Sequence, residues 1–120
     1  MSATMTAAGA EVILDVARLR ERTCNDDSIM REVVRIFLSE CPRWMEALRV
    51  GAMAGDLKVL RLTAHLIGGT AGTCGALKLA GLARRLEEKG KRGDGEGTAE
   101  LADEILAAAE ELEPRMRELL

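Results

Sequence analysis

The chain has 120 residues, with 17 Lys and Arg against 20 Asp and Glu, and a formal net charge of −3 at pH 7. This length fits one domain with one core and is too short for a catalytic domain plus an accessory domain. The small negative charge excludes a general attraction to nucleic acid or to an anionic membrane, so any basic patch must be local. Only 2% of the residues are aromatic, whereas Ala, Leu, Glu and Arg are abundant, which is typical of helical bundles and not of β-sandwiches or barrels.

Neither the N-terminal segment nor the cysteines indicate export. Residues 1–9 lack the cationic start and apolar block of a signal peptide, and no apolar run approaches the length that spans a bilayer. The three cysteines are an odd number without a CxxC pair, which indicates buried thiols and not a disulfide framework or zinc knuckle. We therefore expect a cytoplasmic protein with a flexible tail over residues 1–9 and a single domain over residues 10–120.

A short helix followed by a long one is predicted for the first part of the chain. Asp15 can cap the later turns of a candidate helix over residues 12–22. The polar and acidic segment 25–28 then precedes apolar residues at helical spacing as far as Ala52. Pro42 lies at the edge of this apolar stripe, so we expect a kink there and not a break.

The next two helices are predicted to form an αα-hairpin. The pair Gly55-Asp56 ends the long helix and caps the third one, whose apolar residues recur every three or four positions over residues 57–74. Gly75 ends that helix, and a fourth apolar stripe continues as far as Gly90. Because the connections are short, neighbouring helices should run antiparallel.

A glycine-rich segment, residues 90–97, separates this hairpin from the last helix. It contains charged residues but no apolar residue, so we expect a flexible surface loop. Thr98 can cap the last helix, whose apolar stripe reaches Leu119 and whose final turns Pro114 is expected to bend. The predicted fold is all-α, an antiparallel four-helix bundle with a short additional N-terminal helix.

His65 is the only histidine of the chain and lies in the glycine-rich third helix. At about 100° per residue, its side chain lies roughly 130° from the centre of the apolar stripe and therefore faces water. Two cations and two glycines are predicted to share this outer sector, with a leucine and a glycine at its margins: Lys58, Arg61, Gly69, Gly72, Leu62 and Gly68. Each glycine inside a helix lowers its stability by up to about 1 kcal/mol, so bare backbone beside an imidazole indicates close approach by another macromolecule. The alternative is an ordinary exposed histidine, with glycines that permit tight helix packing or weaken the helix.

The stretch Ala64-His65-Leu66-Ile67-Gly68-Gly69-Thr70, followed by Gly75-Ala76 and later by Leu86-Glu87, resembles the signature of histidine-containing phosphotransfer (HPt) domains. That pattern is Ala-His-x-Leu-Lys-Gly-Ser-Ser, then Gly-Ala, then a leucine-rich helix ending in Leu-Glu. The resemblance covers roughly residues 12–119. It implies a four-helix bundle whose histidine accepts a phosphoryl group from an aspartate of one receiver domain and passes it to another. Thr70 stands in the place of the first serine, and Gly68 stands where the family usually has a lysine thought to favour the phosphoryl group.

Four other cations could supply the positive charge that Gly68 lacks: Lys58, Arg61, Arg84 and Arg85. The first two lie within two turns before His65 on the same helix. Arg84 and Arg85 follow the turn of the αα-hairpin by about as many residues as His65 precedes it. They should therefore lie level with His65 along the axis of the hairpin. For each of the four, a solvated charge on a helix surface is the alternative.

The resemblance implies a phosphorelay intermediate with His65 as the phosphorylated nucleophile. Its partners would be response-regulator receiver domains and a (hybrid) histidine kinase, with Leu62, Arg84 and Arg85 as candidate docking contacts. The receiver would bring Mg²⁺, and this chain would bind no cofactor. Without a phosphate-binding Gly-rich loop and lysine, it should have no autonomous kinase activity. We expect a monomer, because each helix has a complete apolar stripe.

Two other functions are open from the sequence. An HPt-like adaptor could dock a receiver or histidine kinase without carrying phosphate, and Gly68 in place of the lysine is the feature that favours it. A metal-binding bundle would use His65 with a cysteine. However, Cys74 lies on the core stripe and away from the face of His65, and two ligands do not make a metal site.

Overall fold

The computed structural model describes residues 12–120, and within that range the chain forms five α-helices and no strand. They are α1 (Val16–Arg22), α2 (Asp27–Ala54), α3 (Leu57–Thr73), α4 (Leu77–Lys91) and α5 (Thr98–Arg117). The four long helices form the bundle, and α1 packs against α2 and α3. The predicted all-α bundle with a short N-terminal helix is confirmed. The predicted tail, residues 1–9, lies outside the described residues.

The core of the bundle consists of the residues at the predicted three-and-four spacing. The largest buried side chains come from every long helix and include Phe37, Leu48, Leu60, Ile67, Leu79, Leu86, Ile105 and Leu112. Burying one such side chain contributes about 1.5–3 kcal/mol, so these residues fix the helices relative to one another. Buried alanines on α3 and α4 let this pair approach closely, and it has the most extensive contact in the bundle.

Local capping signals set most of the helix ends. In three helices the N-cap carboxylate accepts a hydrogen bond from a backbone N–H three residues later, at 3.0–3.1 Å: Asp15, Asp26 and Asp56. Gly55 ends α2 in the left-handed conformation, with φ of 63°. α2 continues through Pro42 as one helix, so the proline does not break it.

The start of α1 differs from the prediction. The helix begins at Val16, because the preceding residues run along the turn between α3 and α4. The backbone N–H of Asp15 donates to the carbonyl of Gly75 at 2.7 Å, and that of Lys78 donates to the carbonyl of Val12 at 2.8 Å. Gly75 has φ of 80°, and a Cβ there would lie 2.4 Å from the Asp15 carbonyl oxygen. This turn therefore requires glycine both for its conformation and for the close approach of the N-terminal segment.

The connection between α4 and α5 is shorter than predicted and has its own hydrogen bonds. α4 continues through Gly90 to Lys91. Lys89 Nζ donates to the Asp94 carboxylate at 3.2 Å and to the Glu96 carbonyl at 2.8 Å. These contacts hold the connection as a compact turn against the end of α4.

The N-cap of α5 also differs from the prediction. Gly97, with φ of 73°, is the N-cap residue, and Thr98 is already helical. The Thr98 hydroxyl donates to the Gly95 carbonyl at 3.0 Å, so it is used in the turn and not at the helix N-terminus. α5 continues through Pro114 to Arg117.

Candidate functional site

His65 lies in the middle of α3, on the outer surface of the α3–α4 hairpin. Its side chain is 71% exposed, which agrees with the helical phase predicted from the sequence. Its Nδ1 is 2.8 Å from Oε2 of Glu87 on α4. The Glu87 side chain is only 16% exposed, so it is held against the hairpin and gives the imidazole a fixed anchor.

The Glu87 carboxylate determines which nitrogen of His65 carries the hydrogen. An ionised carboxylate can only accept hydrogen bonds, so Nδ1 must donate. In the neutral ring the lone pair then lies on Nε2, for which the described residues offer no hydrogen-bond partner. The side chain therefore presents a nucleophilic nitrogen to solvent while its other nitrogen is anchored.

Charges around Glu87 keep its carboxyl ionised. Burial raises the pKa of Glu87, but the hydrogen bond from His65, the charge of His65 and the nearby Lys91 together outweigh burial and lower this pKa from its usual 4.5. Lys91 Nζ lies 3.6 Å from the same Oε2 that contacts His65. Glu87 is thus an acceptor for Nδ1 throughout the neutral pH range.

Neither Glu87 nor Lys91 was among the candidate site residues from the sequence. Glu87 follows the hairpin turn at Gly75 by about as many residues as His65 precedes it, so the argument that selected Arg84 applies equally to Glu87. Lys91 lies one turn further along the same face of α4. Hairpin symmetry is the signal that could find Glu87, and the spacing of four residues from Glu87 adds Lys91.

The three interior glycines of α3 have different surroundings. Gly69 is exposed and open space surrounds it, as predicted. The sequence predicts Gly72 in the water-facing sector of α3 and Gly68 at its margin. In the structure both glycines are buried against α4. A Cβ at Gly68 would lie 3.6 Å from Arg84 Cγ and 3.7 Å from Ala83 Cβ, and one at Gly72 would lie 3.1 Å from Arg84 Nη2. Helical phase predicts the wrong exposure for these two glycines because it treats α3 as an isolated helix. It takes no account of the Arg84 side chain of α4, which crosses α3.

The four candidate cations lie at different places around His65. Lys58 is exposed, whereas Arg61 is half-buried because its Cβ and Cα pack against Gly90 of α4. Arg84 crosses the buried glycines of α3, and both Arg84 and Arg85 are exposed and line an open concavity on α4 that does not include His65. Among the described residues, none of these four cations forms an ion pair with a carboxylate. Their charge is therefore available to a ligand or partner.

A shallow, open cleft of about 440 Å³ extends from His65 toward the C-terminal end of α3. Two neighbouring leucines of α3 add exposed apolar surface near His65, since Leu62 and Leu66 are 49% and 56% exposed. Exposed apolar area next to polar groups is characteristic of interaction sites. The remaining residues that line the cleft come from α2 and from α3 and its C-cap: Val33, Gly69, Thr70, Thr73 and Cys74.

Thr70 is half-buried in this cleft. In this turn of α3, Thr73 makes the local hydrogen bond to the helix backbone, because its hydroxyl donates to the Gly69 carbonyl at 3.1 Å. Thr70 therefore contributes surface to the cleft beside His65.

Within residues 12–120, no group of three or more His, Cys, Asp or Glu side chains is placed to hold a metal ion. Cys74 belongs to the buried core, and burial raises the pKa of its thiol to about 11. It is thus a poor metal ligand, since metals bind the thiolate. In the same part of the chain, no helix has the length and apolar character needed to cross a membrane.

Comparisons with known proteins point to one family. The family model described as "Hpt domain" matches residues 32–114, a range that contains α3 and α4 with His65 and Glu87. Among solved structures, the histidine-containing phosphotransfer protein B (HptB) from Pseudomonas aeruginosa PAO1 matches with a TM-score of 0.83 and 23% sequence identity. That match covers 90% of this chain and 94% of the other chain, whereas a search of curated proteins found no match. On the evidence of the family model, the chain belongs to the Hpt domain family.

Proposed function

We propose that this protein is a phosphorelay intermediate in which His65 accepts a phosphoryl group from the aspartate of one receiver domain and donates it to another. The observation that carries this proposal is the exposed imidazole, anchored through Nδ1 on Glu87 with its Nε2 facing solvent. Membership of the Hpt domain family supports the same role.

The transfer step needs little chemistry from this chain. The Nε2 lone pair attacks the phosphorus of a receiver aspartyl phosphate, and the N–P bond forms as the P–O bond to the aspartate breaks. The bonding electrons leave with the aspartate carboxylate. The ring becomes an imidazolium whose Nδ1–H still donates to Glu87, and this charge-assisted hydrogen bond stabilises it. Transfer to a second aspartate is the same exchange in reverse.

The chain's own contribution is to hold the nucleophile in place and leave it unobstructed. The receiver would bring Mg²⁺ together with its acidic pocket. A histidine kinase would supply the phosphoryl group through such a receiver, because this sequence has no Gly-rich nucleotide loop from which to use ATP itself.

The receiver would dock on the α3 face around His65. Open space at Gly69 lets another backbone approach closely, and the two exposed leucines provide apolar contact. Cations at the edge of this face match an acidic partner. The residues that we assign to this docking face are Lys58, Arg61, Leu62, Leu66, Gly69 and Thr70, with Arg84 and Arg85 on α4 beside it.

A non-transferring adaptor is the second candidate function. Gly68, at the position where the family usually has a lysine, is the observation that favours it. Such an adaptor would bind a receiver or histidine kinase through the same face but would carry no phosphate.

Transfer of radiolabelled phosphate from a phosphorylated receiver, in the presence of Mg²⁺, distinguishes the two candidates. Wild type should acquire an acid-labile, alkali-stable label, and so should the control Glu104→Gln, which changes an exposed residue of α5. His65→Gln should acquire none, and its free energy of unfolding should fall by no more than about 1 kcal/mol because the imidazole is largely exposed. Label on His65→Gln, or receiver binding without label on wild type across several receivers from the same cell, would refute the relay.

A further inference from the structure

Arg84 lies across α3, next to the proposed phosphoacceptor. Its Cγ is 3.6 Å from the position of a Cβ on Gly68, and its Nη2 is 3.1 Å from that of a Cβ on Gly72. These two glycines have no side chains, so the long side chain of an arginine can lie flat on the helix. Gly68 is one turn from His65, so the stem of Arg84 contacts α3 one helical turn from the residue that bears the imidazole.

The register of α4 relative to α3 explains this position. Arg84 and Glu87 are three residues apart and therefore lie on the same face of α4. Glu87 contacts Nδ1 of His65, so Arg84 comes next to the imidazole on the side of the C-terminal end of α3. On the other side of Glu87 is Lys91, whose charge already faces the carboxylate at 3.6 Å.

The guanidinium of Arg84 is free to move to an anion. No carboxylate of the described residues pairs with it. Arg18 of α1 donates its Nε to the Gly72 carbonyl at 3.0 Å, so a second guanidinium lies close to the same glycine. Two like charges in one place repel, which disfavours the resting position of Arg84 over Gly72. Because Arg84 Cγ already lies next to Gly68, rotation about the bonds beyond Cγ would bring its guanidinium over the bare backbone of Gly68 toward His65.

We propose that Arg84 is a phosphoryl-binding residue of this site, which turns from Gly72 to the phosphoryl oxygens on Nε2 of His65. The inference rests on the proposed function of His65. A phosphoryl group introduces about −1.5 to −2 charges, and the planar fork of guanidinium N–H donors fits two of its oxygens. Arg84 forms and breaks no covalent bond and transfers no proton. It donates hydrogen bonds, and it supplies from α4 the positive charge that Gly68 cannot supply from α3.

The first experiment measures phosphoryl transfer from a phosphorylated receiver to Arg84→Ala, Arg84→Lys and wild type. Arg84→Ala should slow the transfer by about tenfold or more, the effect of losing one hydrogen bond to a charged group. Arg84→Lys retains the charge without the fork of donors and should recover part of the rate. The matched control is Arg115→Ala, which removes an exposed arginine of α5 and should leave the rate unchanged.

A double variant tests whether charge at this place is what matters. A Cβ at Gly68 would make only ordinary van der Waals contacts, so a side chain fits there once Arg84 is shortened. The variant Gly68→Lys with Arg84→Ala should therefore recover most of the transfer rate. Thermal melting of each variant establishes that it is folded before its rate is compared.

Phosphorus NMR separates contact with the phosphoryl group from contact with the receiver. The full chain is phosphorylated on His65 with phosphoramidate, a small donor, and the phosphoryl resonance is titrated with no receiver present. A nearby cation favours the doubly ionised phosphoryl group, so Arg84→Ala should move the midpoint of this titration to higher pH. Arg115→Ala should not move it.

The outcomes discriminate between the two proposals. If His65 is phosphorylated but Arg84→Ala changes neither the transfer rate nor the titration, Arg84 has no role and the relay function stands. Slower transfer with an unchanged titration would mean that Arg84 contacts only the receiver, which also overturns its assignment as a phosphoryl-binding residue. If neither the receiver nor phosphoramidate phosphorylates His65, the relay function itself fails, and the role of Arg84 with it.

Discussion

The cations around His65 on the α3–α4 hairpin differ from those of the helices α2 and α5 in how they are paired with carboxylates. α3 and α4 together contain seven Lys and Arg and two Glu, whereas α5 contains six Asp and Glu and two Arg. On α2 and α5, four arginines pair with glutamates of their own helix: Arg35 with Glu32, Arg43 with Glu40, Arg49 with Glu46 and Arg117 with Glu113. The cations around His65 have no such partners among the described residues: Lys58, Arg61, Arg84 and Arg85.

This difference shows where the molecule can attract an acidic partner. A pair of opposite charges on one helix contributes no more than about 1 kcal/mol to stability. Because the two charges cancel at a distance, the pair produces little electric field away from the protein surface. Unpaired cations on one face add their fields and attract negative charge over a longer distance. The net charge of −3 describes the whole chain and conceals this local excess of positive charge on the hairpin.

Reversing two of the unpaired cations on the hairpin gives the largest expected effect on receiver association. Lys58→Glu with Arg85→Glu should lower the rate of association with a receiver about tenfold or more at low ionic strength, because it removes steering toward an acidic surface. The difference should shrink at about 0.5 M salt, where exposed charges are screened. Stopped-flow association kinetics with a fluorescent receiver measure both effects.

The control for this prediction is Arg35→Glu with Arg43→Glu, which makes the same change in charge on α2. Those arginines are already neutralised by glutamates of their own helix, so association should change far less. Equal slowing by the two double variants would mean that only total charge matters, and would remove the distinction between the faces.

The two regions also differ in how closely their helices pack. A cavity of about 260 Å³ lies between α2 and α5, whereas α3 and α4 are in close contact at Gly90. A Cβ on Gly90 would lie 2.6 Å from the Cβ of Arg61 and 3.3 Å from its Cα. Gly90→Ala should therefore force the helices apart and destabilise the protein by about 1–3 kcal/mol.

Gly81→Ala is the matched control in the same helix. Open space surrounds Gly81, so the added methyl group should stabilise the protein by up to about 1 kcal/mol through helix propensity. Urea denaturation measures both free energies of unfolding. If Gly90→Ala also stabilised the protein, α3 and α4 would not be in close contact at this point.

The sequence predicts the fold well because its signals are local. Asp26 and Asp56 cap helices through hydrogen bonds three residues away, and Gly55 ends a helix through its own φ angle. The predicted start of α1 was wrong because the true start depends on a contact with a residue distant in sequence. The backbone N–H of Asp15 donates to the carbonyl of Gly75.

The candidate site is predictable only in part for the same reason. Helical phase identifies the exposure of His65 and Gly69, since both follow from the orientation of α3 alone. The burial of Gly68 depends on a side chain of α4 that crosses α3, and the anchoring of the imidazole depends on Glu87. Contacts between helices are not encoded in the periodicity of either helix.

The smallest expected effect tests whether Glu87 stabilises the hairpin through its charge. Its pKa lies below 4.5 in the folded protein, so its contribution to stability is present above that pH and is lost as the pH falls through the folded pKa. Because His65 is largely exposed, the contribution should not exceed about 1 kcal/mol. Glu87→Gln should therefore lower the melting temperature slightly at neutral pH, and the difference from wild type should vanish as the pH falls below the folded pKa of Glu87. Glu88→Gln, at an exposed neighbour, should show no such pH dependence, and a Glu87→Gln difference that persists in acid would mean that Glu87 acts through packing.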